Sequence, residues 1–223
     1  MIDNLSLHNA VDYDNEILKT IPYYNLFHNE TLSLINIIKP HVKVWLDTGC
    51  GTGNLIEKAL IKFPDCKFYL SDPSKSMLQI CNDKFQGKPI EILGEYETAQ
   101  IENTIQPEII TAIQCHHYLD FKNRIATTNH CFNLLSDGGI YITFENIKPE
   151  SAEGIEIGLK RWNDYQRKQG KNENDIKTHL NRFDNHFYPI KINEHIDIMK
   201  KAGFKTVELF WMSNMQAGFY GIR

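Results

Sequence analysis

The chain has 223 residues, 42% of them hydrophobic and 23% charged, with a formal net charge of −4. That is enough chain and apolar content for one large α/β domain, and it excludes disordered and collagen-like classes. The mild acidity argues against a partner gripped along a phosphate backbone, and no apolar run approaches the ~20 residues of a bilayer-crossing helix.

The N-terminal stretch MIDNLSLHNAVDYDNE is acidic and polar, without the basic start and apolar stretch of a signal peptide. The cysteines (Cys50, Cys66, Cys81, Cys115, Cys131) are odd in number and widely spaced. These features predict free thiols, no metal site and a cytoplasmic protein.

In chain order, residues 1–40 read as helical up to Pro40. Asn29 is a candidate cap for a helix over 30–38 with Leu32, Ile35 and Ile38 on one face. VKVWL at 42–46 reads as a strand, a glycine cluster follows, and Leu55, Ile56, Ala59, Leu60 and Phe63 share one face of a helix. Further strands are predicted at 67–70, 90–93, 108–114 and 140–144. Helices are predicted over 74–85, capped by Ser74, and over 123–135, stopped at Asp137-Gly138-Gly139. Alternation of strands and helices predicts a parallel sheet with helices on both faces and right-handed crossovers.

Beyond residue 145 the pattern changes. Two polar helices over 151–168 and 174–182 read as an inserted cap. Asn193 is the expected cap of a helix that Gly203 ends, and strands over 205–211 and 217–222 are expected to form an antiparallel hairpin at one sheet edge. The expected organisation is one domain: N-terminal helices (1–40), a core (41–145), a helical cap insertion (146–190) and a C-terminal helix and hairpin (191–223).

The loop Asp47-Thr48-Gly49-Cys50-Gly51-Thr52-Gly53-Asn54 joins the first strand to its helix. Glycines permit the tight turn and let a ligand approach the backbone. A dinucleotide loop needs a glycine where Asn54 stands, and Asp47 would repel a pyrophosphate while suiting an ammonium group. Asp72, ending the second strand about 20 residues further on, is placed to accept bonds from both ribose hydroxyls. It also reads as a cap, because a helix follows. A ligand with an amino-acid end, a ribose end and no phosphate describes S-adenosylmethionine.

At DTGCGTG, LSDPSKSML, GEYE and LLSDGGIYITFEN the chain resembles the class I S-adenosylmethionine-dependent methyltransferases over roughly residues 40–145. FYPIKINEHIDIMKKAGF and WMSNMQAGFYGIR are similar to a bacterial small-molecule branch. The resemblance implies a Rossmann-like, mostly parallel seven-stranded sheet with an antiparallel C-terminal edge strand. It implies that Asp47, Gly49, Cys50, Gly51 and Gly53 line the methionine part of the cofactor, and that Asp72 holds the ribose. Pro73 and Met77 would flank the adenine, with Glu95 and Tyr96 at its edge. Gln114 and Cys115 would offer backbone groups to the amine, and Tyr13 would reach the carboxylate. Met77 and Tyr13 also read as packing residues.

Methyl transfer from a sulfonium needs positioning and desolvation first, and a base only where the nucleophile must lose a proton. His116 and His117 after the fourth strand, and Glu145 at the end of the fifth, are the catalytic candidates, against structural roles for the histidines and a solvated loop for Glu145. In the insertion Trp162, Arg182 and Tyr188 are candidate substrate contacts, with Trp162 also readable as packing. The expected reaction transfers a methyl group to a small-molecule acceptor and yields S-adenosylhomocysteine, in a monomer or homodimer. The alternatives are a tRNA- or RNA-modifying methyltransferase and a non-catalytic S-adenosylmethionine-binding protein. A dehydrogenase ranks last.

Overall fold

The computed structural model describes residue 3 and residues 5–223; residues 1, 2 and 4 lie outside the described set. Seven strands form one sheet in the order β3-β2-β1-β4-β5-β7-β6. They are β1 (Val44–Thr48), β2 (Lys67–Ser71), β3 (Ile90–Gly94), β4 (Ile109–Ile113), β5 (Ile140–Asn146), β6 (Thr206–Ser213) and β7 (Gln216–Ile222). β1 to β5 pair in parallel. β7 runs antiparallel to both β5 and β6, so the C-terminal hairpin sits at the sheet edge with β6 outermost.

β1 reads as a buried strand because both its faces are covered, Trp45 on one and Leu46 on the other, each fully buried. The Trp45 face packs on α1 (Tyr13–Thr20), α2 (Tyr24–Ile38), α3 (Asn54–Lys62) and α4 (Lys75–Lys84) through Ile17, Phe27, Ile56 and Cys81. The Leu46 face packs on α5 (Phe121–Leu134) and α8 (Ile192–Ala202) through Cys131, Leu134 and Met199. Phe27 stacks on Phe144 at 4.8 Å and meets Trp211 edge-on at 4.9 Å, tying α2 to the sheet. Such pairs add about 0.5–1.5 kcal/mol each beyond area burial.

The inserted segment forms α6 (Ala152–Lys168) and α7 (Glu173–Leu180). Trp162 is fully buried and its indole N–H donates to the Thr20 carbonyl at 2.7 Å, which fastens α6 to the end of α1. No helix among the described residues is long and apolar enough to cross a membrane, and all five cysteines are unpaired.

Two caps differ from expectation. α2 begins at Tyr24, after Tyr23 in the left-handed region (φ 59), and runs straight through Asn29. The apolar face that includes Tyr24 and Phe27 extends the helix a turn and a half earlier than an Asn cap predicts. α8 begins at Ile192, and the N–H of its cap Lys191 is satisfied by the Glu194 side chain at 2.7 Å, so Asn193 lies inside the helix. Ser74 caps α4 as expected, accepting from Met77 N at 3.2 Å.

Candidate active site

The glycine loop turns on three positive φ values: Gly49 at 63°, Gly51 at 55° and Gly53 at 81°. Each glycine answers a different demand. A Cβ on Gly49 would stand 2.6 Å from Cys115 Cβ, because β4 ends against the loop there. A Cβ on Gly51 would meet nothing within 4 Å, so that backbone faces open space. Gly53 instead turns inward under the Phe85 ring and caps α3. It does not border the cleft: its expected cofactor contact is replaced by a packing role.

The loop is fastened from α1. Asp14 accepts from the Thr52 hydroxyl at 2.5 Å and from Asn54 Nδ2 at 2.7 Å. Lys84 braces Asn54 Oδ1 at 2.7 Å. Asp72 clamps the other side, accepting Gly51 N–H on one oxygen and Ser74 N–H on the other, each at 2.8 Å. Burial pushes the Asp72 carboxyl up, and these two backbone bonds pull against it. Each oxygen keeps a further lone pair for a ligand hydroxyl.

Above the loop lies a cleft of about 220 Å³ bordered by Tyr13, Gly49, Gly51, Asp72, Pro73, Met77, Gln114 and Cys115. Behind it, Asp47, Cys50 and Gly49 share a smaller chamber with Tyr13 and Tyr24. Asp47 accepts from the Thr111 hydroxyl, and burial pushes its carboxyl up to about 7. The Tyr13 hydroxyl hydrogen-bonds that of Tyr24, and burial raises both phenols.

Glu95 and Tyr96 are both exposed and do not border the cleft. The chain turns into a 3-10 segment (Thr98–Gln100), and Glu97, its cap, borders the cleft instead. Asp3, Leu5 and Ser6 also border it, and the Asp3 carboxylate accepts from Ser74 Oγ and Ser76 N, each at 2.9 Å.

A second, inner lobe shares Ser6, Tyr13, Gln114 and Tyr118 with the cleft and adds His117, Asn146, His179, Arg182 and Phe187. Gln114 stands at the junction in the left-handed region (φ 58), its backbone N–H donating to Phe144 O at 2.7 Å. Tyr118, absent from the expected set, enters because the 3-10 turn His116–Tyr118 follows β4, and Asn146 enters because β5 continues through it.

The three catalytic candidates separate. The pleat of β5 puts Glu145 on the face of Tyr141 and Thr143, towards α5 and α8 and away from the cleft. It is 1% exposed and accepts from His116 N (3.2 Å), His117 N (2.8 Å), His117 Nδ1 (2.8 Å) and Thr143 Oγ1 (2.6 Å). Burial alone would raise its carboxyl, but the His117 bond and nearby positive charge hold it down at about 2. His116 is pinned between Thr98 Oγ1 (2.9 Å) and the Tyr141 hydroxyl (2.8 Å), outside both lobes. Only His117 borders the inner lobe. Burial depresses its pKa, with Glu145 pulling the other way.

Of the cap residues, Arg182 borders the inner lobe. Trp162 does not, being consumed in the α1–α6 joint. Tyr188 is 40% exposed and meets the site through its backbone N–H, which donates to His117 O at 2.7 Å. Among the described residues no cluster of three or more metal-ligating side chains occurs.

This strand order, with a glycine loop after β1 and an acid after β2 facing one cleft, is the fold of the class I S-adenosylmethionine-dependent methyltransferases. Residues 46–141 match the family model described as a methyltransferase domain. Carboxy-S-adenosyl-L-methionine synthase from Campylobacter lari is 23% identical over 196 residues, covering 88% of this chain and 84% of that protein. Two solved structures share the fold. A candidate O-methyltransferase from Nostoc punctiforme has a TM-score of 0.69 and 13% identity, covering 96% of this chain and 60% of that one. PigF with S-adenosylhomocysteine has a TM-score of 0.66 and 15% identity, covering 96% and 59%. This chain therefore spans about 60% of the length of those two proteins.

Proposed function

We propose that the protein transfers the methyl group of S-adenosylmethionine to a small-molecule acceptor held in the inner lobe. The shared wall carries this reading: Tyr13, Gln114 and Tyr118 border both lobes, so two ligands would meet there.

The outer lobe fits the cofactor on three counts. Gly51 leaves open the space that a Cβ would fill. Asp72 has unused lone pairs for ribose hydroxyls, and Asp47 and Tyr13 offer a polar chamber for the amino-acid end. Among the described residues no lysine or arginine lines the cleft, so a pyrophosphate would lack counter-charge. When bound, the cofactor supplies an electrophilic methyl group and leaves as S-adenosylhomocysteine.

The chain's own part is to position, exclude water and take a proton. His117 Nδ1 faces the Glu145 carboxylate and so carries the hydrogen, which leaves Nε2 as the acceptor. A neutral, buried imidazole beside the inner lobe would take the proton of an acceptor hydroxyl or amine. Calorimetry with S-adenosylhomocysteine tests the cofactor site, and a screen of small acceptors for S-adenosylhomocysteine release tests the transfer. Absence of cofactor binding would end the proposal.

A second reading draws on relatives whose name describes modification of the cofactor itself, similar over 84% to 93% of their own length. Mass spectrometry separates the two. Methyl transfer yields S-adenosylhomocysteine, whereas that reaction yields a nucleoside heavier than S-adenosylmethionine by a carboxyl group.

A further inference from the structure

We propose that the inner lobe selects an acceptor carrying a carboxylate, seated on the Arg182 guanidinium; this rests on the small-molecule reading above. Arg182 follows α7 and enters the lobe beside Tyr118 and Phe187. Its guanidinium lies 5.8 Å from the Tyr118 ring centre, hydrogen-bonds the Tyr118 hydroxyl and donates to the Leu5 carbonyl. Among the described residues, none of the ion pairs includes it. A guanidinium stays charged at any working pH, and its five donors match a carboxylate far better than a phenol or a carbonyl.

The surrounding groups leave that charge uncompensated. Lys171 adds a second cation behind the wall, bonded to the Thr20 hydroxyl at 2.9 Å. Its nearest carboxylate, Glu16 at 3.9 Å, is already engaged by Lys19 at 2.7 Å. Glu145 stands behind His117 and spends its oxygens on four donors. The remaining walls mix rings (Tyr13, Tyr118 and Phe187) with aliphatic and amide side chains (Ile17, Ile21, Gln114 and Asn146). A small carboxylate satisfies the charge that Arg182 brings to the lobe.

The test is titration calorimetry on the full chain saturated with S-adenosylhomocysteine. Benzoate, salicylate and phenylacetate are the probes, each compared with its amide. At least one carboxylate should bind at least about tenfold tighter than its amide, the scale of one charge-assisted pair. Arg182→Gln should abolish that preference without changing S-adenosylhomocysteine affinity, and Arg182→Lys should restore part of it. Equal binding of acids and amides, no binding of any acid, or a preference that survives Arg182→Gln overturns the carboxylate site. Should the variant fail to fold, the wild-type comparison of acid with amide decides alone. Failure of the wild type to bind S-adenosylhomocysteine is a separate result and overturns the cofactor reading.

Discussion

His117 and Glu145 are joined twice, since the same carboxylate oxygen accepts the backbone N–H and the ring Nδ1 of His117, both at 2.8 Å. The carboxylate thereby sets both the path of the turn after β4 and the tautomer of the ring. Glu145→Gln replaces a pure acceptor by a group that also donates, against four facing donors. It should cost roughly 2–4 kcal/mol in denaturant unfolding. The sign with pH follows from the depressed carboxyl. Its contribution is complete above the ordinary value of 4.5 and is lost as pH falls towards about 2. Unfolding midpoints across that window should fall in the wild type and lose this component in the variant.

Asp72→Ala should weaken S-adenosylhomocysteine binding by about tenfold to a hundredfold, the scale of hydrogen bonds to a charged group. Asp72→Asn keeps one acceptor and should lie between. Calorimetry checks both, and unchanged affinity in Asp72→Ala would remove the ribose role.

Asp47 sets a pH dependence of opposite sense to that of Glu145. Burial raises its carboxyl from 3.8 to about 7, so the folded protein keeps a proton that the unfolded chain has lost. Stability from this group therefore falls as pH rises through that window. A ligand ammonium in the adjoining chamber favours the ionised form, so S-adenosylhomocysteine affinity should rise towards pH 7, by up to about tenfold per unit below it, and then level. Asp47→Asn should bind with no such slope.

Trp162→Phe keeps an aromatic ring but shrinks it and strands the Thr20 carbonyl. A loss of about 1–3 kcal/mol is expected, with cofactor affinity unchanged because neither lobe touches the indole. Parallel denaturation and calorimetry of the one variant check both halves.

The glycine-loop side of the outer cleft is legible in the sequence because its signals are local. A strand, three glycines and an acid after the next strand lie within a short run of chain, and each constrains the backbone directly. Gly53 misled because a positive φ serves packing under Phe85 as well as it serves a ligand. Glu95 and Tyr96 misled because a 3-10 turn shifts the cleft-facing position to Glu97. The inner lobe is harder to read, since it is assembled from β4, β5 and the cap, which meet only in three dimensions. Glu145 shows this plainly. The pleat of β5 decides its face, and its strand was expected to stop at residue 144 when it runs on to Asn146. Asp14, which fastens the glycine loop from α1, carries no pattern that distinguishes it from an exposed helical acid.

Gln114 adopts a backbone shape that residues other than glycine avoid, at a cost of about 1–2 kcal/mol. What keeps it there is the Phe144 carbonyl on the neighbouring strand, which takes its backbone N–H at 2.7 Å. The passage between the two lobes is therefore shaped by strand pairing and not by local preference. Substitutions along the β4–β5 ladder, remote from any ligand, should alter which molecules react while leaving the nucleoside seat intact.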